Sequence, residues 1–315
     1  MNKSLKKKIE ICNLANIGKE FINEENKNIS GFSGRKLCNA LCGLTKNMGK
    51  ENIYLEIGVY KGLTLLTNAS SNPEVKCIGI DNFSLFNENH SNKDIVLSKI
   101  KELKLNNVEL IDLDFEEALD NLEKYIDPNK KIGVFFVDGP HDYRSQLISL
   151  LKIKNYLAED CVIIIDDANY VHVRQATRDF LSTESEFKLL CEAYTKAHVA
   201  NLSEVDKKEV IDGWWNGVNI IVKDLQNDLK INLPYIEKEY RDFNFYTHDL
   251  MRSKYVEINH KLVDHLIKLN KDNQNNELLI SEIKTLLKKH NDKYPKRFIN
   301  QNTYSENLNR FKVYS

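Results

Sequence analysis

Three aspartates follow two apolar runs of the chain. Asp138 follows the run Ile132–Val137. The pair Asp166 and Asp167 follows the run Cys161–Ile165. If these runs are adjacent strands, their carboxyl ends lie about 5 Å apart. Three carboxylates at one place repel one another, and a hard divalent cation such as Mg²⁺ is the simple partner. The pattern predicts a magnesium site, and the alternative is that these acids cap helix N-termini.

A turn with two glycines follows the apolar run Ile53–Ile57. Its pattern is E-x-G-x-x-x-G, from Glu56 through Gly58 to Gly62, and not the G-x-G-x-x-G of dinucleotide-binding loops. A glycine at a strand end allows the backbone to approach a ligand closely. An acid beside such a loop disfavours pyrophosphate and favours an amino-bearing ligand. Asp81 ends the next run, where an acid that binds ribose is expected. Together these features favour a nucleoside-type cofactor.

The elements that position these residues can be read from the apolar runs. Continuous apolar runs separated by amphipathic stretches indicate a parallel sheet buried on both faces. Right-handed crossovers then give a doubly wound α/β fold with a mostly parallel, seven-stranded sheet. The runs are Ile53–Ile57, Val75–Ile80, Val108–Leu113, Ile132–Val137, Cys161–Ile165, Phe187–Leu190 and Val218–Val222.

The chain divides into three segments by pattern. Residues 1–50 predict an N-terminal helical cap, and residues 51–224 hold the alternating runs. Residues 225–315 are polar, rich in lysine and tyrosine, and mostly helical by periodicity. This extension could cover the active site as a lid, pack on the sheet or mediate homo-oligomers, and the sequence leaves these alternatives open.

Composition excludes several classes of protein. The chain has 45 basic and 46 acidic residues, so a basic surface for nucleic acid is not expected. It contains no apolar stretch long enough to span a membrane and no secretory signal, so a cytoplasmic location is expected. Its six cysteines have neither zinc spacing nor the density of a disulfide scaffold, which predicts buried thiols.

The glycine turn and the strand-end acids resemble those of class I S-adenosylmethionine (SAM)-dependent methyltransferases, over about residues 50–223. The resemblance implies a Rossmann-like fold whose antiparallel seventh strand comes from residues 214–222. It also implies that the glycine turn cradles the methionine part of SAM, that Asp81 holds the ribose, and that Asp114 (or, second, Asp112) lies near the adenine. The residues expected to contact this cofactor are Glu56, Gly58, Tyr60, Gly62, Asp81, Asn82, Asp114 and Asp138.

The segments V-D-G-P-H-D-Y and I-I-D-D-A-N-Y are similar to those of metal-dependent sugar O-methyltransferases of the TylF-like and Methyltransf_24 groups. This resemblance implies that Asp138, Asp166 and Asp167 bind Mg²⁺. It also implies that His141 is the general base, and Asp142 is the alternative. A histidine with an ordinary pKa near 6.5 can accept the proton of a hydroxyl that a metal has made more acidic.

The expected activity is Mg²⁺-dependent transfer of a methyl group from SAM to a hydroxyl. The favoured acceptor is a sugar, a glycosylated compound or a sugar nucleotide in glycan or natural-product biosynthesis. A catechol is the enzymatic alternative, because vicinal hydroxyls also chelate Mg²⁺. A non-catalytic, nucleotide-binding Rossmann-like protein is the alternative from another class. The aromatic and imidazole residues before the last strand could form a wall for a sugar or a ring, or belong to the core or a lid: Tyr194, His198, Trp214 and Trp215.

Overall fold

The computed structural model describes residues 1–23, 29–87, 91–236, 262–268, 276–293 and 311–315. The chain forms two compact units, Met1–Ile236 with Tyr304–Ser315 and Glu237–Thr303. The first unit contains the sheet. In the second, helices cover residues 262–268 and Asn276–Lys293. The rest of the extension between residues 237 and 310 lies outside the described residues, and its role stays a prediction.

The first unit is built on one sheet of eight strands in the order β3-β2-β1-β4-β5-β7-β6-β8. Strands β1 to β5 pair in parallel, and β7, β6 and β8 continue the sheet with antiparallel pairs. This confirms the predicted doubly wound, mostly parallel α/β fold. The strands are β1 Ile53–Ile57, β2 Cys77–Ile80, β3 Val108–Ile111, β4 Ile132–Val137, β5 Leu157–Ile165, β6 Phe187–Ala193, β7 Val218–Lys223 and β8 Phe311–Val313.

Helices cover both faces of the sheet because successive strand residues point to opposite sides. Tyr54 of β1 packs in a cluster with Leu37 and Leu65, whereas Leu55 packs in a second cluster with Leu150 and Phe180. Burial of each such side chain stabilises the fold by about 1.5–3 kcal/mol. The helices are α1 Lys3–Asn16, α2 Arg35–Lys46, α3 Leu63–Ser71, α4 Asn92–Glu102, α5 Phe115–Asp120, α6 Tyr143–Ile153, α7 Val171–Thr183 and α8 Glu204–Ile211.

The sheet reverses its winding direction between β1 and β4. From β1 the chain moves to β2 and β3 on one side, and then returns to β4 and β5 on the other. In open α/β sheets, ligands bind at the carboxyl ends of the strands at such a point. The residues that follow β1, β2, β4 and β5 are therefore the ones placed to bind a ligand.

The eighth strand is a difference from the predicted sheet. Phe311–Val313 pairs with β6, with Ala193 opposite Phe311. Three residues in a polar segment carry too little pattern to be read as a strand, and this strand forms because the edge of β6 offers unpaired backbone groups.

The structure also bears on the predictions about the cysteines and about membrane-spanning helices. All six cysteines are buried free thiols, as predicted. No helix in the described part of the chain is both long and apolar enough to cross a membrane.

Candidate active site

Asp138, His141 and Asp167 come together at the carboxyl edge of the sheet. Val137 of β4 lies opposite Ile165 of β5, so the residues that follow leave the sheet side by side. One potential ligand atom from each of the three side chains lies within 4.8 Å of the other two. This group contains His141 in the place that the sequence analysis gave to Asp166. Two carboxylates and one imidazole at this spacing could hold one metal ion.

Asp166 is buried beside this group, with 1% of its surface exposed. Neither of its carboxylate oxygens has a hydrogen-bond partner among the described residues. Burial, and then the charge of Asp167, raise the pKa of Asp166 well above its usual value. A buried carboxylate without a partner is costly unless it is protonated or paired with a cation. Asp166 is therefore an acid whose ionised form a divalent cation at this edge would stabilise.

Asp138 has the same electrostatic environment. Its pKa is raised well above the usual value, first by burial and then by the charges of Asp166 and Asp167. Its backbone N–H donates to the carbonyl of Ile57 over 2.9 Å, which fixes the position where the residue leaves β4. The structure thus brings the three predicted metal-binding acids to one edge, where their charges repel one another.

Asp167 is held on both sides of its carboxylate. His141 Nε2 lies 2.5 Å from Oδ2, and the Asn216 amide donates to Oδ1 over 2.5 Å. Burial alone would raise the pKa of Asp167, but the charge and hydrogen bond of His141, with the bond from Asn216, bring it below the usual value. The backbone of Asp167 has φ +57°, in the left-handed region that non-glycine residues rarely adopt. This carboxylate is therefore fixed in its ionised form.

His141 is a partly exposed member of this group. Its side chain is 34% exposed, and its ring stacks on Tyr170 with centroids 5.1 Å apart. His198 lies close enough for its positive charge to contribute to the lowered pKa of Asp167. Burial, with a further contribution from the charge of His141, lowers the pKa of His198. His141 is thus oriented by a carboxylate on one side and an aromatic face on the other.

Asp142, the alternative base, is the N-cap of α6. Its Oδ1 accepts a hydrogen bond from the Ser145 N–H over 3.0 Å. This is the helix-capping role considered for the strand-end acids, and it is carried out here by the residue four positions after Asp138.

Asn216 is the residue of this site that the sequence analysis missed. It is fully buried in the loop before β7, and its backbone carbonyl accepts the Asn169 N–H over 2.9 Å. Gly217, with φ +84°, follows it, and a Cβ there would lie 2.5 Å from the Asn169 side chain. This close approach requires glycine. A Trp-Asn-Gly turn before the last long strand was the available signal, but only the fold shows that its amide reaches Asp167.

The glycine turn after β1 lies next to the acidic group. Gly58 has φ +90° and Gly62 has φ +89°. A Cβ on Gly58 would lie 2.0 Å from the backbone oxygen of Asp138, so only glycine fits here. The predicted cofactor turn and the predicted metal edge are therefore in direct contact.

Asp81 organises the backbone of that turn. Its Oδ2 accepts the N–H groups of Val59 and Tyr60, each over 2.8 Å. Its Oδ1 accepts the Phe83 N–H over 2.7 Å. Because these three amides come from the turns after β1 and β2, the carboxylate of Asp81 ties the two turns together.

Glu56 is completely buried on β1 beneath the turn. Tyr54 donates a hydrogen bond to it over 2.5 Å, and Thr64 donates another over 3.2 Å. Burial raises the pKa of Glu56 to about 8, against the opposing effect of these two hydrogen bonds. Without a ligand, Glu56 is therefore largely protonated at neutral pH.

The other predicted cofactor residues lie at the same edge. Asn82 is exposed and accepts hydrogen bonds from the backbone and hydroxyl of Ser84. Asp114 caps α5 by accepting the Glu116 N–H over 2.9 Å. Asp112, the second candidate near the adenine, pairs with Lys93 over 2.7 Å. Their contacts to a cofactor stay predictions.

The four ring residues before the last long strand have different environments. Trp214 is buried, donates to Asn16 over 3.0 Å and stacks on Phe311. Tyr194 is also buried and donates to Glu192 over 3.0 Å. The core role therefore applies to these two. Trp215 is half-exposed, and His198 lies beside the acidic group as described above.

Part of this chain is similar to a known family of domains. Residues 55–168 match the family model Methyltransf_24, described as "Methyltransferase domain". The matched segment runs from β1 to the residue after Asp167 and so includes the glycine turn, Asp81 and the three acids Asp138, Asp166 and Asp167. The protein is thus a methyltransferase.

Solved structures similar to this chain include three proteins with a bound cofactor or product. An O-methyltransferase from Bacillus cereus in complex with S-adenosylhomocysteine (SAH) is 15% identical, and the alignment covers 71% of this chain and 92% of that chain, with a TM-score of 0.45. The SAH-bound methyltransferase PaMTH1 from Podospora anserina is 14% identical, with coverages of 70% and 88% and a TM-score of 0.41. Cofactor-bound Rv0187 from MTB is 12% identical, with coverages of 71% and 90% and a TM-score of 0.44. The comparison with curated proteins gave no match.

Proposed function

We propose that this protein is an O-methyltransferase that transfers the methyl group of SAM to a hydroxyl group and depends on a divalent cation. The observation that carries the proposal is the contact between the two halves of the site. Gly58 of the glycine turn touches the backbone of Asp138, whose side chain groups with His141 and Asp167. A methyl donor at the turn and a hydroxyl at the acidic group would therefore be neighbours.

The donor set at the acidic group suits a hard divalent cation such as Mg²⁺. Carboxylate oxygens dominate it, and cysteine is absent from it. The unpartnered, buried oxygens of Asp166 are a second reason, because they need a positive charge nearby to ionise. Asp138, Asp166 and Asp167 would hold the ion, with His141 at its side. A bound Mg²⁺ would supply the positive charge that lowers the pKa of the acceptor hydroxyl.

The turn after β1 suits SAM better than a dinucleotide. Gly58 and Gly62 have positive φ values that fix the path of its backbone, while the turn lacks the first glycine of the pyrophosphate loop. Asp81 follows β2, where a ribose-binding acid is expected. Its carboxylate accepts three backbone N–H groups, and a carboxylate is also an acceptor for hydroxyl donors.

His141 is the proposed base. Its Nε2 faces Asp167 Oδ2, and a carboxylate in this position orients an imidazole and stabilises its protonated form. The proton of the acceptor hydroxyl would move to the other ring nitrogen, Nδ1. Asp142 suits this role less well, because its carboxylate already accepts a hydrogen bond from a backbone N–H in the first turn of α6.

The acceptor is proposed to be a hydroxyl of a sugar, a glycosylated compound or a sugar nucleotide. The V-D-G-P-H-D-Y and I-I-D-D-A-N-Y segments support this choice by their resemblance to sugar O-methyltransferases. A catechol remains the second candidate, and the exposed rings of Phe32 and Phe86 beside the site favour it.

Calorimetric titration of SAM and of SAH, each with Mg²⁺ and with EDTA, tests the proposal. We expect micromolar binding of both compounds, and an additional heat from Mg²⁺ that is lost in Asp138→Ala. Asp127→Ala is the matched control, because this exposed aspartate lies in the turn before the opposite end of β4.

Each part of the proposal has its own contrary result. Absence of binding by either compound under all conditions would refute the methyltransferase chemistry proposed here. Methyl transfer at an unchanged rate in EDTA would refute the role of the cation while leaving SAM in place.

A further inference from the structure

Four aromatic rings from four separate loops form a patch beside the candidate active site. We call Phe32, Tyr60, Phe86 and Trp215 the aromatic patch. Phe32 stacks on Tyr60 with centroids 4.7 Å apart and an interplanar angle of 11°. It also stacks on Trp215 at 6.0 Å. The Phe86 ring makes T-shaped contacts with Phe32 and Tyr60, with ring centroids 6.4 and 6.5 Å apart.

The two phenylalanines of the patch are exposed. Phe32 is 53% exposed and Phe86 is 73% exposed, whereas the sheet phenylalanines Phe135 and Phe136 are completely buried. Leaving phenyl rings in water is unfavourable, and clustered exposed rings in folded proteins mark places where something binds.

The backbone at three of the four patch residues is in an uncommon conformation. Tyr60, Phe86 and Trp215 have φ values of +52°, +51° and +52°. The left-handed region is unfavourable for bulky side chains, and such conformations persist where neighbouring contacts impose them, often at ligand-binding sites. Asp167 of the acidic group, with φ +57°, has the same conformation.

Hydrogen bonds fix these backbones. The Tyr60 N–H donates to Asp81 over 2.8 Å. The Trp215 carbonyl accepts the Thr195 hydroxyl over 2.9 Å. The Phe86 carbonyl accepts the Asn92 amide over 3.1 Å. The patch is therefore held in place by polar contacts beneath it.

The patch borders the active site on two sides. Trp215 is the direct neighbour of Asn216, which donates to Asp167. Tyr60 lies two residues from Gly58, which touches the backbone of Asp138. The patch thus adjoins, through its chain neighbours, the residues that contact the acidic group.

We propose that the aromatic patch binds an aryl ring of the acceptor, so that the methylated hydroxyl belongs to a phenolic compound or an aryl glycoside. The inference rests on the function proposed above and specifies its substrate class. Aromatic rings prefer the offset-stacked and edge-to-face contacts that this patch offers. A bare sugar needs hydrogen-bonding partners for its hydroxyls, and phenyl rings such as those of Phe32 and Phe86 provide none.

Three probes distinguish an aryl ring from a sugar. Catechol, phenyl β-D-glucoside and methyl β-D-glucoside are titrated against the full chain by saturation-transfer NMR, with and without SAH and Mg²⁺. We expect both aryl probes to bind at least about tenfold more tightly than the methyl glucoside, because only their rings can stack on the patch and bury apolar surface there.

Variants then place the aryl probe on the patch. Phe32→Ala and Phe86→Ala should each weaken binding of phenyl β-D-glucoside about 5- to 20-fold while SAH affinity is unchanged. Phe32→Leu keeps an apolar side chain without a ring and should also lose affinity. Leu225→Ala is the control, because this exposed leucine follows the antiparallel strand β7 and lies at the opposite edge of the sheet.

Equal affinity for phenyl and methyl glucosides, or unchanged aryl binding in Phe32→Ala and Phe86→Ala, would overturn the inference. A fall in SAH affinity in these two variants would also overturn it, because the patch would then belong to the cofactor. SAH binding by the wild type separates this result from a failure of the proposed function. If SAH binds and aryl selectivity is missing, only the inference about the acceptor is refuted.

Discussion

The glycine turn and the acidic group lie at the same edge of one sheet, but their polar groups are satisfied differently. In the turn, Asp81 accepts three backbone N–H groups, and the two glycines have positive φ values that fix the path of the backbone. In the acidic group, Asp166 has two buried oxygens with no partner among the described residues, and Asp138 has a raised pKa. The turn is thus preorganised by the protein alone, whereas the acidic group requires a positive charge that the neighbouring side chains do not fully supply.

A change in the backbone geometry of the glycine turn should destabilise the folded protein. In Gly58→Ala the new Cβ would lie 2.0 Å from a carbonyl oxygen, at φ +90°. We expect the free energy of unfolding to fall by about 3–5 kcal/mol. Gly18→Ala is the matched control, since Gly18 has φ +81° but no atom within 4 Å of the added Cβ. It should cost only about 1 kcal/mol. Equal losses in urea denaturation would show that close approach to Asp138 is unimportant.

His141→Ala tests the chemistry of the acidic group. We expect methyl transfer to slow by about 10²–10⁴-fold, because the general base is lost. SAH affinity should be unchanged, because the glycine turn is intact. Single-turnover rates and calorimetry measure the two effects separately. A rate within a few-fold of the wild type would mean that another group takes the proton.

Asp166→Asn should have opposite effects with and without the cation. The amide removes a buried carboxyl whose pKa is raised by burial. In EDTA, we therefore expect the variant to be as stable as the wild type or more stable, by about 1–3 kcal/mol. Its affinity for Mg²⁺ should fall by about 10–100-fold, a range typical of altered metal sites. Thermal unfolding with EDTA and with Mg²⁺ measures both, and a loss of stability in EDTA would contradict the unpartnered state of Asp166.

The buried Glu56, which lies beneath the turn, makes the free energy of unfolding depend on pH. Its pKa rises from 4.5 to about 8 in the folded protein, so the folded state holds this proton to higher pH than the unfolded state does. The stabilising contribution is complete below pH 4.5 and is lost as pH rises to 8. From pH 5 to 8, wild-type stability without ligand should fall more steeply than that of Glu56→Gln, by up to about 1.4 kcal/mol per pH unit. Parallel slopes in urea denaturation would show that Glu56 is ionised throughout.

The parts of the fold that followed from the sequence are those determined locally. Continuous apolar runs such as Ile132–Val137 are typical of buried strands, because they are too short for most helices and rich in β-branched and aromatic residues. The glycines after β1 could be read from the turn, because their positive φ values are needed there. The acids after β4 and β5 were placed at one edge because parallel strands end together.

The parts that escaped prediction depend on distant contacts. Asn216 reaches Asp167 across 49 positions of the chain. Phe32 and Phe86 belong to loops without periodicity, and only the fold brings their rings together. The sequence also gave no means to distinguish His141 from Asp166 as the third member of the close group.

The short strand β8 has a consequence for the open edge of the sheet. By pairing with Cys191–Ala193, it covers the last three residues of the seven-residue strand β6, which would otherwise be open to another strand. The new edge is three residues long and carries the exposed Lys312. Short edges with a protruding lysine are poor templates for strand addition by another molecule. The pairing of β8 with β6 thus shortens the open edge of the sheet, which disfavours edge-to-edge association.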